Sequence, residues 1–294
     1  MRIASTRSSP GAGTIASAPL SHPRRMAGTF SIVAMDAERR EWGVAVASRV
    51  LDVGYIVPWL QAEVGAVATQ ALSNPHLGPW ALQALSEGAE ARQALVAILA
   101  RDPDPAVRQV GIVDREGRAA AHTGSDTLAW SGQRTAEGVS VQGNILVGPE
   151  VVDSMLHAFQ EGAGPLAERL LLALEAGEQA GGDRRGKQSA ALQVVRRQGG
   201  YQGVDDRLVD LKVVDQPDPV AEVRRLYDQW QYAFVVEAYC RLSEAEPACE
   251  PVLMGSVRGL LDKALQSTLT SAEVFNELAW HLALRKKYPE ETLR

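Results

Sequence analysis

Cysteine is nearly missing from this chain: Cys240 and Cys249 are the only two, and both fall late. Two such residues cannot build a disulfide scaffold and lack the spacing of a metal site, so a reducing, cytoplasmic setting fits. Concentrated positive charge is missing too. The formal net charge is −6, and no basic run or interleaved aromatic stripe offers a nucleic acid its footprint. The longest stretch without a charged residue, Val64 to Ser86, holds Gln70, Asn74, His76 and two prolines. That is a poor bilayer segment, so no membrane partner is expected. The five histidines are scattered, and none pairs with another at i,i+3 or i,i+4 spacing, so no metal is expected. No P-loop, no GxGxxG after a strand, no HExxH and no GxSxG occurs. Lysine does not occur before Lys187, so chemistry around residues 29–80 has no lysine base near it in sequence. Arginine cannot stand in, because it stays protonated.

What is present reads as an ordinary globular composition, 46% apolar and 22% charged, long enough for one large core with a small appendage. Residues 1–28 form a leader, read as disordered or as a start displaced to Met26, since the first 25 residues carry no acid and no continuous apolar core. From Thr29 two short apolar runs, 29–36 and 41–48, flank the charged turn 37–40 and predict a hairpin. The first run is apolar on both faces, which belongs in a sheet covered on both sides. Gly43, Ala45 and Ala47 line one face of the second run and permit close approach of another layer. Further strands are expected near 55–60, 65–70, 109–114, 119–123, 138–142, 189–195 and 208–214. Helices are expected near 78–87, 90–100, 149–161 and 165–176. Hairpins interrupted by pairs of helices predict an α+β fold of packed antiparallel sheets between helical layers. "DQPDPVAEVRRLYDQW" marks the end of a main domain, 29–218, and residues 219–294 read as a helical region. Its last stretch, "SAEVFNELAWHLALRKKYPEETLR", resembles half of a tetratricopeptide-type repeat.

Thr29 opens the first strand, and two readings follow. It is either simply the start of a sheet, or a new N-terminus whose α-amine lies within reach of its own hydroxyl. A free α-amine, with a pKa near 7.7–8.0, accepts the hydroxyl proton well at neutral pH. That chemistry requires the bond between Gly28 and Thr29 to be cut, by the chain itself or by an aminopeptidase.

The segments "TFSIVAMD…GVAVASR…VG…VPW…GAVATQALSNP…GP", "VQGNILVGPEVVDSM", "GGDRRGKQSAALQVV" and "DLKVVDQPDPVAEVRRL" occur in order. Together they resemble domain of unknown function family 1028, over roughly residues 29–226. That family is grouped by fold with the N-terminal-nucleophile hydrolases. The resemblance implies a four-layer αββα sandwich and Thr29 at the nucleophile position. Family members commonly open Met-Thr-Phe, whereas Ala27-Gly28 intervene here.

Roles then fall on particular residues. Ser48 and Arg49 end the second strand and should return beside Thr29, Arg49 to hold a carboxylate or to serve as a rim ion pair. Thr69, Gln70 and Asn74 lie at a strand end and the loop after it, where amides can serve an oxyanion; Asn74 before proline is equally a turn-former. Gln142 and Asn144 flank Gly143 ahead of a helix, suited to a ligand or a plain loop. In "GGDRRGKQSA" the resemblance makes Asp183 and Ser189 the groups that orient the N-terminal amine. Arg184 and Gln188 could converge on the same site. The expected activity is hydrolysis of a small or peptide-like amide with no metal or organic cofactor. The alternative is a non-catalytic binding protein on the same fold. The oligomeric state, a homo-oligomer included, is left open by the sequence.

Overall fold

A tight antiparallel hairpin opens the computed structural model, which describes residues 28–266. Strands β1 (Thr29–Asp36) and β2 (Glu41–Ser48) meet across the charged turn with an unbroken register from Thr29↔Ser48 to Asp36↔Glu41. A short helix α1 (Val53–Ile56) leads to β3 (Pro58–Gln61) and β4 (Gly65–Ala71). Helices α2 (Leu77–Ser86) and α3 (Ala91–Arg101) precede β5 (Arg108–Asp114) and β6 (Ala119–Thr123). Then come β7 (Gly132–Ala136), β8 (Val139–Asn144), α4 (Glu150–Glu161) and α5 (Leu166–Gln179). Strands β9 (Ser189–Val195) and β10 (Arg207–Val213) end the strand-bearing part. Helix α6 (Pro219–Trp230), a π-helical turn at Gln231–Val235, α7 (Val236–Ala245) and α8 (Glu250–Gln266) complete a helical C-terminal region. Residues 1–27 of the leader expected over 1–28, and the tetratricopeptide-like stretch, lie outside the described residues.

The fold is mixed α+β, with two antiparallel sheets. One has six strands in the order β10-β9-β2-β1-β8-β7, the other four in the order β3-β4-β5-β6. The doubly apolar pattern of β1 is explained by what covers it. Phe30, Ile32 and Ala34 bury with Leu170, Leu171 and Leu174 of α5, while Val33 buries with Val44 and with Ala66, Ala68 and Val113 of the other sheet. Val67, Val110 and Ile112 turn the opposite way and bury with Leu77, Ala81 and Ile98 of α2 and α3. Gly43 sits beneath Leu170, where any Cβ would overlap the leucine methyl, so the small-residue row does let α5 approach β2 closely. The C-terminal helices share this core, through Val223, Tyr227, Tyr239 and Val257 in the same cluster as β9 and β10.

Two expectations need correction. The strand expected at 55–60 begins only at Pro58, because residues 53–56 form α1. There Asp52 adopts a positive φ of 48° and the Ser189 hydroxyl accepts the Val53 N–H at 3.0 Å, which sets a helical turn before the strand. Strand β7 was not anticipated, since "GQRTA" is half-buried and polar; it is an edge strand paired only with β8 within its sheet.

Candidate functional site

Register brings four polar residues into one row across the end of the six-stranded sheet. Ser189 pairs with Ser48, Ser48 with Thr29, and Thr29 with Asn144. All four are buried, Thr29 at 1% exposure. Alternation along the strands turns this row, with Ser31, toward the four-stranded sheet. The Thr29 hydroxyl therefore meets polar groups rather than hydrocarbon, and donates to Ser48 Oγ at 3.1 Å.

The Gly28 carbonyl, directly ahead of Thr29, is gripped from two sides. Ser48 Oγ donates a hydrogen bond to it, and Arg185 Nη2 donates another at 2.9 Å. Arg185 is in turn fixed by Asp183. Its Nε reaches Oδ1 at 3.1 Å, its Nη2 reaches Oδ2 at 2.7 Å, and its backbone N–H reaches Oδ1 at 3.0 Å. The Arg49 N–H donates to Asp183 Oδ2 at 3.1 Å, and the Arg49 guanidinium donates to the Arg185 carbonyl. The loop can bend this way because Gly181, Gly182 and Gly186 take positive φ, at 108°, 53° and 109°. Beside it opens a cleft of about 110 Å³ lined by Ser48, Asp183, Gly182, Glu178 and Lys187 among others. Burial raises the Glu178 carboxyl above its ordinary pKa, against the pull of Lys187.

Behind the row lies a seam of uncharged polar side chains between the sheets. Gln142 Nε2 donates to Ser31 Oγ at 2.7 Å, and Ser31 Oγ donates to Gln70 Oε1 at 2.7 Å. Gln70 Nε2 donates to Gln109 Oε1 at 2.8 Å and to the Thr29 carbonyl at 3.3 Å. Asn144 Nδ2 donates to Gln109 Oε1 at 2.9 Å, while Asn144 Oδ1 has no partner among the described residues. Ser140 Oγ donates to Gln142 Oε1 at 2.7 Å, and Gly111 leaves the space that the Gln142 amide fills.

The predicted residues thus divide. Thr29, Ser48, Arg49 and Asp183 converge at the Gly28–Thr29 peptide, and Gln70, Gln142 and Asn144 form the seam behind it. Ser189 shares the row but does not reach Thr29. Its hydroxyl donates to the Val50 carbonyl at 2.6 Å and accepts the Val53 N–H, so it holds a loop. Thr69 faces away, because alternation in β4 puts Gln70 toward Thr29 and Thr69 with Val67 on the helix side. Asn74 is a turn-former: its Oδ1 accepts the His76 N–H at 3.1 Å and its Nδ2 donates to Asp102 Oδ2 at 2.6 Å. Asp102 is bound by Arg108, and these hydrogen bonds lower its carboxyl pKa despite burial. Arg184 is exposed, and Gln188 is half-buried with its carbonyl accepting the Gln216 N–H. The arginine at the carbonyl is Arg185 instead. Sequence reasoning also missed Ser31, Gln109 and Ser140. Their signal is a polar residue at alternate positions of a strand, shared by Ser31 with Thr29 and by Ser140 with Gln142 and Asn144.

A second polar cluster sits at the opposite end of the same sheet. Tyr239 of α7 donates to Glu41 Oε1 at 2.6 Å, and Glu41 Oε2 has no partner among the described residues. Burial above all, then the charge of Asp36, pushes the Glu41 carboxyl up to about 7, against Tyr239, Arg39 and Arg196.

Among the described residues no group of three or more His, Cys, Asp or Glu could hold a metal ion, and no helix is long and apolar enough to cross a membrane. No curated protein matches the chain. Among solved structures it is similar to protein SPO2555 from Silicibacter pomeroyi, itself described by DUF1028. The two share 31% identity, 69% of this chain and 89% of that one are covered, and the TM-score is 0.63. The description "Family of unknown function (DUF1028)" matches residues 29–223. The chain belongs to that family.

Proposed function

We propose that this chain is an amide-bond hydrolase on a four-layer αββα sandwich of the N-terminal-nucleophile type, with Thr29 as nucleophile. One observation carries the reading: two donors converge on the carbonyl oxygen of the peptide directly ahead of a buried threonine hydroxyl. Donors aimed at a carbonyl oxygen stabilise the negative charge that develops there when the carbon is attacked. A guanidinium held by a carboxylate keeps its charge and its aim.

The first substrate is then the chain's own Gly28–Thr29 bond. Thr29 Oγ adds to the Gly28 carbonyl carbon and the C–N bond breaks. The hydroxyl proton passes to the Thr29 nitrogen, leaving Gly28 as an ester on Thr29 Oγ. Water cleaves that ester, releasing the Gly28 carboxylate and restoring the hydroxyl. In later turnovers the freed α-amine takes the hydroxyl proton and hands it to the leaving amine. Asn144 Oδ1, across the register from Thr29 and without a partner among the described residues, is an acceptor suited to orient that amine. Substrates are small or peptide-like amides.

Intact mass and N-terminal sequencing test this directly. The wild-type protein should begin at Thr29, and the Thr29→Ala variant should keep the peptide bond after Gly28 uncut. A wild-type chain that stays joined through Gly28–Thr29 while showing no Thr29-dependent turnover of any amide would overturn the hydrolase reading in favour of a binding protein.

A further inference from the structure

The hydrolase reading, on which this inference rests, leaves open what kind of amide the site takes. Charge beside the Thr29 end of the six-stranded sheet narrows it. The chain carries a formal net charge of −6, yet Arg49, Arg184, Arg185 and Lys187 gather there. Two of these cations are already matched. Asp183 holds Arg185 at 2.7 Å, and Glu178 and Asp218 each hold Lys187 at 2.9 Å.

Arg49 and Arg184 are not matched. Both are exposed, and neither guanidinium has a carboxylate within ion-pair distance among the described residues. Arg49 follows Ser48, the residue opposite Thr29 on one side, and its guanidinium donates to the Arg185 carbonyl, which leaves its charge uncompensated. The Arg184 N–H donates to the Ile145 carbonyl at 3.0 Å, and Ile145 follows Asn144, the residue opposite Thr29 on the other side. The two arginines therefore bracket Thr29. The leader cannot neutralise them, because residues 1–28 contain no Asp or Glu. A guanidinium without a local acid is a donor fork shaped for a carboxylate. From this we infer that Arg49 and Arg184 bind substrate carboxylates, and that the substrates are acidic amides such as N-acyl derivatives of glutamate or aspartate. The carboxylates meet these side chains out on the rim, away from the volume that Gly28 fills before the cut.

The test is titration calorimetry with two probes that differ in charge and hardly in shape, N-acetyl-L-glutamate and its diamide, N-acetyl-L-glutaminamide. Wild type is compared with Arg49→Gln, Arg184→Gln, Arg184→Lys and, as a control, Arg92→Gln at an exposed position of α3. Wild type should bind the dianion at least about tenfold more tightly than the diamide, the worth of a hydrogen bond to a charged group. Arg49→Gln and Arg184→Gln should each lose most of that preference, and high salt should erode it. Arg184→Lys should keep part of it, and Arg92→Gln all of it. Equal affinities for the two probes, binding of neither, or a preference unchanged in both Arg49→Gln and Arg184→Gln would overturn the inference. N-terminal mass judges the hydrolase reading separately. A chain that begins at Thr29 and fails these comparisons keeps the hydrolase reading and loses its acidic substrates. A chain that passes them, stays joined through Gly28–Thr29 and turns over no amide keeps the carboxylate site, as that of a binding protein.

Discussion

Replacing Glu41 with glutamine should remove a pH dependence of stability that the wild-type chain carries. The Glu41 carboxyl is fully buried where β2 meets α7, with Tyr239 on one oxygen and no partner among the described residues on the other. Burial, reinforced by Asp36 and opposed by Tyr239, Arg39 and Arg196, raises its pKa from 4.5 to about 7. The folded chain therefore keeps a proton between those values that the unfolded chain has lost. Stability from this group is complete below pH 4.5 and disappears as the pH rises through 7. At about 1.4 kcal/mol for each tenfold change in proton affinity, the displacement is worth about 3 kcal/mol, most of it between about pH 5 and pH 8. Glutamine keeps an oxygen for the Tyr239 hydroxyl and does not titrate. Urea unfolding of both proteins near pH 5 and near pH 8 isolates the effect, because groups common to both cancel. Wild type should lose about 2–3 kcal/mol more than Glu41→Gln over that interval. Parallel losses in the two proteins would show that the carboxyl is not held neutral by its burial.

Other variants separate chemistry from scaffolding. Ser48→Ala removes a donor to the Gly28 carbonyl and should slow the appearance of a Thr29 N-terminus by about 10²–10³-fold, read by mass spectrometry. Ser189→Ala should leave that rate within a few-fold and lower unfolding free energy by about 1–3 kcal/mol, since its hydroxyl holds Val50 and Val53. Arg185→Met should slow processing more than Arg185→Lys, because lysine retains the charge without the fork that grips Asp183; equal rates would remove the guanidinium from the mechanism. Gly111→Ala pushes a methyl into the Gln142 amide and should lower stability by about 1–3 kcal/mol in thermal or urea unfolding.

Much of the arrangement could be read from the chain because strands obey simple periodicity. The hairpin at 29–48 fixes Thr29 opposite Ser48 once its turn is located, and the strands of both sheets lie near their expected places except β7, which carries no apolar alternation, and β3, whose first expected residues are helical. What could not be read is which strand lies beside which, and which face each polar residue takes. Gln70 and Thr69 are neighbours in sequence, yet one faces Thr29 and the other faces the helices. Gln109 reaches the site only because β5 pairs with β4 and packs over β8. Loop 182–188 has no period at all, so nothing in "GGDRRGKQSA" distinguishes Arg184 from Arg185. The turn built by the Asp183 carboxylate makes that choice. Asn74 was ambiguous because asparagine before proline serves a turn and an oxyanion equally well by composition alone.

The seam between the sheets has a consequence for how firmly the two can be aligned. Apolar layers slide past one another at modest cost, because one methyl substitutes for another. Here Ser31, Gln70, Gln109, Gln142 and Asn144 interlock by complementary donors and acceptors. Shifting either sheet by one residue would break the bonds that cross between them and leave these buried groups unpaired, at about 1–3 kcal/mol apiece. The seam acts as a ratchet tooth that admits one alignment, and that alignment delivers the Thr29 hydroxyl to the same spot each time the chain folds.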